Sequence, residues 1–293
     1  MSIGLILEGG ASKGVFTAGV LNYLMEQKVE FPYVAGVSAG ACNGLDYVAG
    51  QIGRTKDCMI PKTKEEHYFG FGQMRKSGRF YDIQRAFSEY PYELYPFDFE
   101  TYFASDVINE IVVTNCHTGK AEYIREKKSE KRLLRASMAS SSMPFFAPMI
   151  KLDGEYYLDG GIVDSIPLQR ALDLGYEKNV VILTHNKFYR PRVSEGQMRL
   201  CRRKYRNYPK LIKAIEERRF MYLKQVALVR KLEKEGKVLV IRPQIPAVGR
   251  MESDGQKLEI FYSHGYEYMK EQYEKLCEFI LKEDQTPTSI SGE

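Results

Sequence analysis

The sequence lacks the patterns that mark disulfide-stapled, metal-binding and membrane-spanning proteins. Its five cysteines are scattered without a CxxC pair, so neither a disulfide framework nor a zinc site is indicated. The four histidines show no metal-binding spacing such as HExxH. The opening MSIGLILEGG has no basic stretch, and its apolar run is too short for a signal peptide or a membrane span. We therefore expect a cytoplasmic protein that needs no metal and no other cofactor.

The sequence also shows no internal repeat and no clear linker between domains. The 293 residues are therefore expected to form one domain over residues 1–282. Polar residues dominate 283–293, which is typical of a disordered tail. Within the domain, the motifs that carry chemistry lie in residues 3–185, and a basic helical extension covers residues 187–282.

Acidic residues are scarce in one part of the chain. The net charge of the whole chain is +5, and residues 187–242 contain 18 Lys or Arg against 5 Asp or Glu. A solvated helical face is the ordinary explanation for such a basic block. The alternative is a surface that binds anionic membrane lipid reversibly, which would add a peripheral membrane location. No nucleic-acid partner is expected.

The order of segments in residues 1–50 predicts a parallel sheet. IGLIL and YVAGV are short buried strands, and each is followed by a segment in which apolar or small residues have helical spacing. A β-α-β-α order implies right-handed crossovers, so we expect an α/β fold with a mainly parallel central sheet. NEIVVTNCHTGKAEYI predicts two strands joined by a Thr-Gly turn, and further strands are predicted in NVVILT and KVLVIRP. The pair Asp153-Gly154 predicts a hairpin. YPKLIKAIEERRFMYLKQVALVRKLEKEG predicts a long amphipathic helix, either continuous or broken once.

The first candidate site is the glycine-rich loop EGGASKG, from Gly9 to Gly14, between a strand and a helix. Such a loop exposes backbone N–H groups at a helix N-terminus, where negative charge is stabilised. It is not a P-loop, because Val15 and Phe16 stand where Lys and Ser or Thr are required. It is not a dinucleotide fingerprint, because Ala11 replaces the second glycine. Two interpretations of the loop remain: a tight turn without a ligand, or an oxyanion hole made of N–H groups.

The second candidate site is GVSAG, in which Ser38 lies between Gly36 and Gly40. It follows a predicted strand and opens a predicted helix, which is the context of a nucleophile elbow. The glycines suit a sharp turn at which a Cβ atom would clash. Runs of small residues at helix starts also produce this motif by chance, so the motif alone makes Ser38 only a candidate nucleophile.

The third candidate site is YYLDGG, in which Asp159 ends a predicted strand and precedes Gly160 and Gly161. A simple Asp-Gly turn is the alternative. The chain order of α/β-hydrolases would allow a Ser38–Asp159–His264 triad. However, those enzymes build several strands before the elbow, whereas one precedes Ser38 here, and His264 lies in a helix-like stretch. A serine paired directly with Asp159 as its base is therefore favoured.

Taken together and in this order, GGASKG, GVSAG and DGG resemble the motifs of bacterial patatin-like phospholipases, a branch of the patatin and cytosolic phospholipase A superfamily. The resemblance spans residues 3–185, and the C-terminal third resembles the extension of a subgroup of predicted bacterial esterases. It implies a three-layer α/β/α sandwich and a Ser38–Asp159 dyad without a catalytic histidine. It also implies an oxyanion hole formed by Gly9, Gly10, Ala11, Ser12, Lys13 and Gly14.

The function that this resemblance implies is a serine lipid acyl hydrolase of the phospholipase A, lysophospholipase or carboxylesterase type. It would cleave a phospholipid or another fatty-acyl ester through an acyl-enzyme. An acyltransferase that uses the same serine and a non-catalytic lipid-binding module are the alternatives. The aromatic-rich residues 68–103 and the segment Met143–Phe146 could line an acyl-chain pocket or form a lid, although most of these rings are expected to pack in the core.

Overall fold

The computed structural model describes residues 3–60, 62–63, 81–187, 189 and 194–281. The strands are β1 (Ile3–Leu7), β2 (Tyr33–Val37), β3 (Ile108–Asn115), β4 (Ala121–Ile124), β5 (Ile150–Leu152), β6 (Glu155–Asp159), β7 (Lys178–Ile182) and β8 (Val238–Ile241). The helices are α1 (Gly14–Glu26), α2 (Ala39–Val48), α3 (Arg54–Met59), α4 (Ile83–Ser88), α5 (Phe99–Ala104), α6 (Glu130–Ser140), α7 (Leu168–Asp173), α8 (Glu195–Lys204), α9 (Pro209–Lys234), α10 (Gly255–Glu271) and α11 (Tyr273–Leu281).

The strands form one mixed sheet in the order β5-β6-β3-β2-β1-β7-β8, with β4 on the other side of β3. The five strands from β3 to β8 in this order are parallel. Successive side chains of a strand point to opposite faces. Leu5 and Leu7 therefore pack in the cluster that contains α1, α2 and α10, whereas Ile6 packs with α7 and α9. The predicted three-layer α/β/α sandwich with a mainly parallel sheet is confirmed.

Local sequence signals account for several of these elements. The predicted hairpin is β5–β6, and its turn residues Asp153 (φ 50°) and Gly154 (φ 91°) both adopt the left-handed conformation. The predicted long helix is α9, which begins at Pro209 and runs without a break to Lys234. No helix in the described part of the chain combines the length and the apolar character that crossing a bilayer requires.

The length of β3 brings two distant segments together. On the side of β3 that faces away from β4, Val112 pairs with Val37 of β2, and the next residue, Val113, pairs with Asp159 of β6. β6 therefore occupies the edge of β3 just beyond the end of β2. As a result, Asp159 lies beside the first residue after β2, which is Ser38.

The C-terminal segment packs closely against the motif-bearing part of the chain. β8 extends the sheet beside β7, and α10 crosses α1 with backbones almost in contact. A Cβ atom at Gly265 would lie 2.2 Å from the carbonyl oxygen of Phe16, and one at Gly19 would lie 2.1 Å from that of Tyr262. Only glycine permits such a close approach at this crossing.

Candidate active site

Ser38 occupies a strained turn between β2 and α2. Its backbone has φ 54° and ψ −123°, a conformation that costs a non-glycine residue about 1–3 kcal/mol. The flanking glycines make the turn possible, because a Cβ atom at Gly36 would lie 2.5 Å from the Gly40 carbonyl oxygen. One at Gly40 would lie 2.4 Å from the Leu7 carbonyl oxygen. This is the geometry of a nucleophile elbow, in which the turn presents the serine hydroxyl.

A serine from another helix holds this turn in place. The backbone N–H of Ser38 donates a hydrogen bond to Oγ of Ser140 at 2.8 Å, and this hydroxyl donates to the carbonyl oxygen of Val112 at 2.7 Å. Ser140 ends α6 and is fully buried. The elbow is therefore joined to β3 through a side chain, and the Ser38 N–H is not available to a ligand.

Asp159 lies next to Ser38 and is buried. Its Oδ1 accepts a hydrogen bond from the Gly161 N–H at 2.7 Å, and a Cβ atom at Gly160 would lie 2.3 Å from the Val112 carbonyl oxygen. Burial raises the pKa of Asp159 above its ordinary value, although hydrogen bonding from Gly161 and from the Ser38 side chain lowers it in part. A carboxylate with a raised pKa is a better proton acceptor, and this one is in reach of the serine hydroxyl.

The glycine-rich loop lies against the elbow. A Cβ atom at Gly9 would lie 2.9 Å from the carbonyl oxygen of Val37 and 3.2 Å from Cβ of Ser38. Ala11 adopts a left-handed conformation with φ 50°. Within the described ranges, the N–H groups of Gly9, Gly10 and Ala11 make no hydrogen bond. These three donors are therefore free to bind a negative oxygen beside Ser38.

The other half of this loop is already hydrogen-bonded, which narrows the predicted set of donors. The N–H of Ser12 donates to the carbonyl oxygen of Arg250 at 3.1 Å, and the N–H of Lys13 donates to that of Gly10 at 3.2 Å. The N–H of Gly14 donates to the carbonyl oxygens of Ala11 and Ser12. The expectation that Ser12, Lys13 and Gly14 supply oxyanion donors does not fit this geometry, because these hydrogen bonds already use their N–H groups.

The histidine nearest to the site is not the one that the triad alternative requires. Nε2 of His264 accepts a hydrogen bond from the Gln244 N–H at 3.0 Å, and its ring packs on Phe16, away from the cavities at Ser38. His185, which follows β7, is buried beside the glycine-rich loop. Its Nδ1 lies 2.9 Å from Oε1 of Glu8.

Glu8 is a buried carboxylate that sequence reasoning missed. It accepts hydrogen bonds from the Thr184 N–H at 2.6 Å and from the Tyr222 hydroxyl at 2.8 Å, in addition to its contact with His185. Burial pushes the pKa of Glu8 up, but the His185 side chain and these hydrogen bonds outweigh burial and hold the pKa below its ordinary value. A charged residue directly after a buried strand is the signal that could have found it.

Two cavities meet at Ser38. The apolar cavity has an empty volume of about 970 Å³, including the part open to solvent. The side chains that make it apolar are Leu45, Met59, Phe87, Tyr90, Phe97, Leu134, Met143 and Met251. The second cavity is called the basic cavity after its two arginines, and it is lined by Glu8, Gly9, Gly10, Asp159, His185, Arg218, Tyr222 and Arg250, among others. Ala11, Ser38 and Met143 line both cavities.

The aromatic-rich segment contributes to both the core and the apolar cavity. Phe87 lines the cavity, Tyr90 and Phe97 line it while being largely buried, and Tyr102 is fully buried in the core. Tyr68, Phe69, Phe71 and Phe80 lie outside the described residues. Phe145 and Phe146 line the basic cavity. Across the described part of the chain, no group of three or more His, Cys, Asp or Glu side chains is placed to hold a metal ion.

Comparison with known proteins places this site in a family. A family model for patatin-like phospholipases matches residues 5–172, and a model for a domain of unknown function (DUF6363) matches residues 208–281. The chain is 28% identical over 199 residues to the uncharacterized protein YjjU of Escherichia coli (strain K12), covering 62% of this chain and 52% of that protein. It is 26% identical over 289 residues to lysophospholipase nte1 of Aspergillus terreus, covering 94% of this chain and 18% of that protein.

Among solved structures, VipD from Legionella pneumophila matches with a TM-score of 0.45 and 15% identity, over 93% of this chain and 66% of that chain. The chain spans about half the length of YjjU and about a fifth of the lysophospholipase. The patatin-like phospholipase model covers more than half of the chain and includes all three motifs at the site. The chain therefore belongs to the patatin-like phospholipase family.

Proposed function

We propose that this protein is a serine lipid acyl hydrolase of the phospholipase A, lysophospholipase or carboxylesterase type. The observation that carries the proposal is the position of the Ser38 hydroxyl, beside the Asp159 carboxyl and at the junction of the two cavities. Membership of the patatin-like phospholipase family and the lysophospholipase relatives support it.

The reaction would proceed in two steps at Ser38. Its Oγ attacks the ester carbonyl carbon while Asp159 takes the hydroxyl proton, and Asp159 then gives this proton to the leaving alcohol. The carbonyl oxygen becomes negative and would accept hydrogen bonds from the N–H groups of Gly9, Gly10 and Ala11; losing one such donor typically costs about 10²–10³ in rate. A water molecule would then attack the acyl carbon while Asp159 takes its proton, and Asp159 would return this proton to Oγ of Ser38 as the fatty acid leaves.

The apolar cavity is suited to the acyl chain. Its lining is dominated by aliphatic and aromatic side chains, and it opens directly onto Ser38. Each buried CH₂ group contributes about 0.8 kcal/mol to binding, so a chain of several carbons would bind there with useful affinity. The carbonyl carbon at the end of that chain would then lie at the serine hydroxyl.

The nucleophile is tested with a fluorophosphonate probe and a fatty-acyl ester assay. We expect the wild-type protein to be labelled and to release fatty acid, and Ser38→Ala to do neither. Ser263→Ala is the matched control, because Ser263 is exposed on α10 and lines neither cavity. Labelling of folded Ser38→Ala at the wild-type rate would contradict the assignment. Acyl transfer to an added alcohol without release in water would indicate the acyltransferase alternative.

The base is tested by replacing Asp159 with asparagine, which keeps an acceptor for the Gly161 N–H but cannot take a proton. We expect hydrolysis to fall by about 10²–10⁴-fold. Asp153→Asn, in the exposed hairpin turn, should leave the rate unchanged, and so should His264→Ala. Folded His264→Ala protein without activity would favour the histidine triad instead.

A further inference from the structure

The basic cavity contains two arginines from the C-terminal segment. Arg218 lies in α9, and Arg250 lies in the loop between β8 and α10. This loop is tied to the glycine-rich loop, because the Ser12 N–H donates to the Arg250 carbonyl oxygen at 3.1 Å and the Ser12 hydroxyl donates to that of Glu252 at 3.0 Å. The position of Arg250 at the cavity wall is therefore set by contacts with the site itself.

The positive charge of these arginines is poorly balanced. Nε of Arg218 donates to the carbonyl oxygen of Gly161 at 2.8 Å, which is a neutral acceptor. As far as the chain is described, neither guanidinium forms an ion pair with a carboxylate. Of the two carboxylates that line this cavity, Glu8 is engaged with His185, and Asp159 attracts both arginines without forming an ion pair with either. One available carboxylate therefore faces two guanidinium groups.

This arrangement costs free energy when the cavity is empty. Burial and the neighbouring Arg250 both lower the pKa of Arg218, because the charged form loses hydration and is repelled by a like charge, and together they outweigh the attraction of Asp159. A phosphate group would relieve this repulsion. Its oxygens would also accept hydrogen bonds from the remaining N–H groups of the two arginines, because guanidinium groups bind phosphate through paired hydrogen bonds.

We propose that Arg218 and Arg250 bind the phosphate group of the substrate, an inference that rests on the proposed function. Ser38 lines both cavities, so an acyl chain in the apolar cavity would place the alcohol half of the ester in the basic cavity. The preferred substrates are then acyl esters of a phosphorylated alcohol, such as lysophosphatidic acid, over neutral glycerides. The role of the segment that matches the domain of unknown function, residues 208–281, is to supply this anion subsite.

The test compares kcat/KM for a short-chain lysophosphatidic acid and for the monoacylglycerol with the same chain, below micelle-forming concentrations. Hydrogen bonds to a charged group contribute about 1.5–3 kcal/mol, so the wild-type protein should prefer the phosphorylated ester by about 10–100-fold. Arg218→Gln and Arg250→Gln should each reduce this ratio by about 10-fold. Arg219→Gln, the exposed neighbour on α9, should keep it. A wild-type ratio near one, or an unchanged ratio in both variants, overturns the proposal.

Binding measurements separate this subsite from catalysis. Calorimetry with glycerol 3-phosphate and with glycerol needs no turnover, so it remains informative if neither ester is hydrolysed. The subsite is supported if the wild-type protein binds glycerol 3-phosphate but not glycerol, and if Arg250→Gln binds glycerol 3-phosphate about 10-fold more weakly. It is overturned if wild type and variant bind glycerol 3-phosphate equally well, or if the wild-type protein does not bind it. Inorganic phosphate tests the source of the anion. If it raises KM for lysophosphatidic acid, the proposal is supported; if it binds while both esters react equally, a free anion is the ligand and the proposal fails.

Discussion

Replacing Ser140 with alanine should loosen the turn that carries Ser38. The Ser140 hydroxyl accepts the hydrogen bond of the Ser38 N–H at 2.8 Å, and both residues are buried. Alanine would leave this N–H without a partner and without access to water. An unpaired buried donor costs about 1–3 kcal/mol, which corresponds to a fall in Tm of about 2–5 °C for a chain of this size.

Ser137→Ala is the matched control, because Ser137 lies one turn earlier on α6 and is equally buried. Its hydroxyl donates to the Leu133 carbonyl oxygen at 2.9 Å, an atom that α-helix geometry already pairs with the Ser137 N–H. Removing this hydroxyl leaves no group unpaired. We therefore expect a change of at most about 0.5–1 kcal/mol.

The two variants are compared by urea unfolding and by ester hydrolysis. The chain contains no tryptophan, so far-ultraviolet circular dichroism is the suitable probe of unfolding. Relaxation of the elbow would shift the Ser38 hydroxyl, and small displacements of a catalytic group cost up to about 10²-fold in rate. We expect kcat to fall at least about 10-fold in Ser140→Ala and to stay within about twofold in Ser137→Ala. Equal stability and equal kcat in the two variants would refute the role of Ser140.

Three further outcomes are expected. Hydrolysis should rise with pH as Asp159 loses its proton, with a midpoint above the ordinary aspartate pKa of about 3.9, because burial raises this pKa; a kcat/KM profile with a lower midpoint would contradict the reasoning. Gly265→Ala should destabilise the protein by about 1–3 kcal/mol or more in thermal unfolding, because its Cβ would meet the Phe16 backbone, whereas Gly196→Ala, with open space around it, should cost nothing. If the basic block 187–242 binds anionic membranes, cosedimentation with anionic vesicles should decrease with salt; salt-independent binding would exclude a mainly electrostatic contact.

Much of the fold could be predicted because its signals are local. The Asp153-Gly154 turn, the apolar strands and the helical spacing of α1 and α9 depend on residues that are neighbours in the chain. The joint pattern of GGASKG, GVSAG and DGG is sufficient by itself to indicate the family. These motifs are readable because each demands small residues at fixed positions, where a Cβ atom would clash.

The composition of the site could be predicted only in part. Arg218 is one of 18 basic residues in its block, and the sequence does not distinguish it from an exposed neighbour such as Arg219. The charge pattern of the block suggests a solvated face or a membrane surface, but one of its basic residues, Arg218, lines the basic cavity. Glu8 and His185 escape sequence reasoning for the same reason, since their pairing depends on β1 and β7 being neighbours in the sheet.

The sequence by itself determined the strands, the helices and the small-residue turns, because these depend on interactions over a few residues. Tertiary structure alone decided that β3 extends beyond β2, so that β6 pairs with the free edge and Asp159 lies beside Ser38. It also decided which loop N–H groups remain free and which C-terminal side chains line the two cavities. The physical reason is that strand register and side-chain packing join residues far apart in the chain, and no local pattern records those contacts.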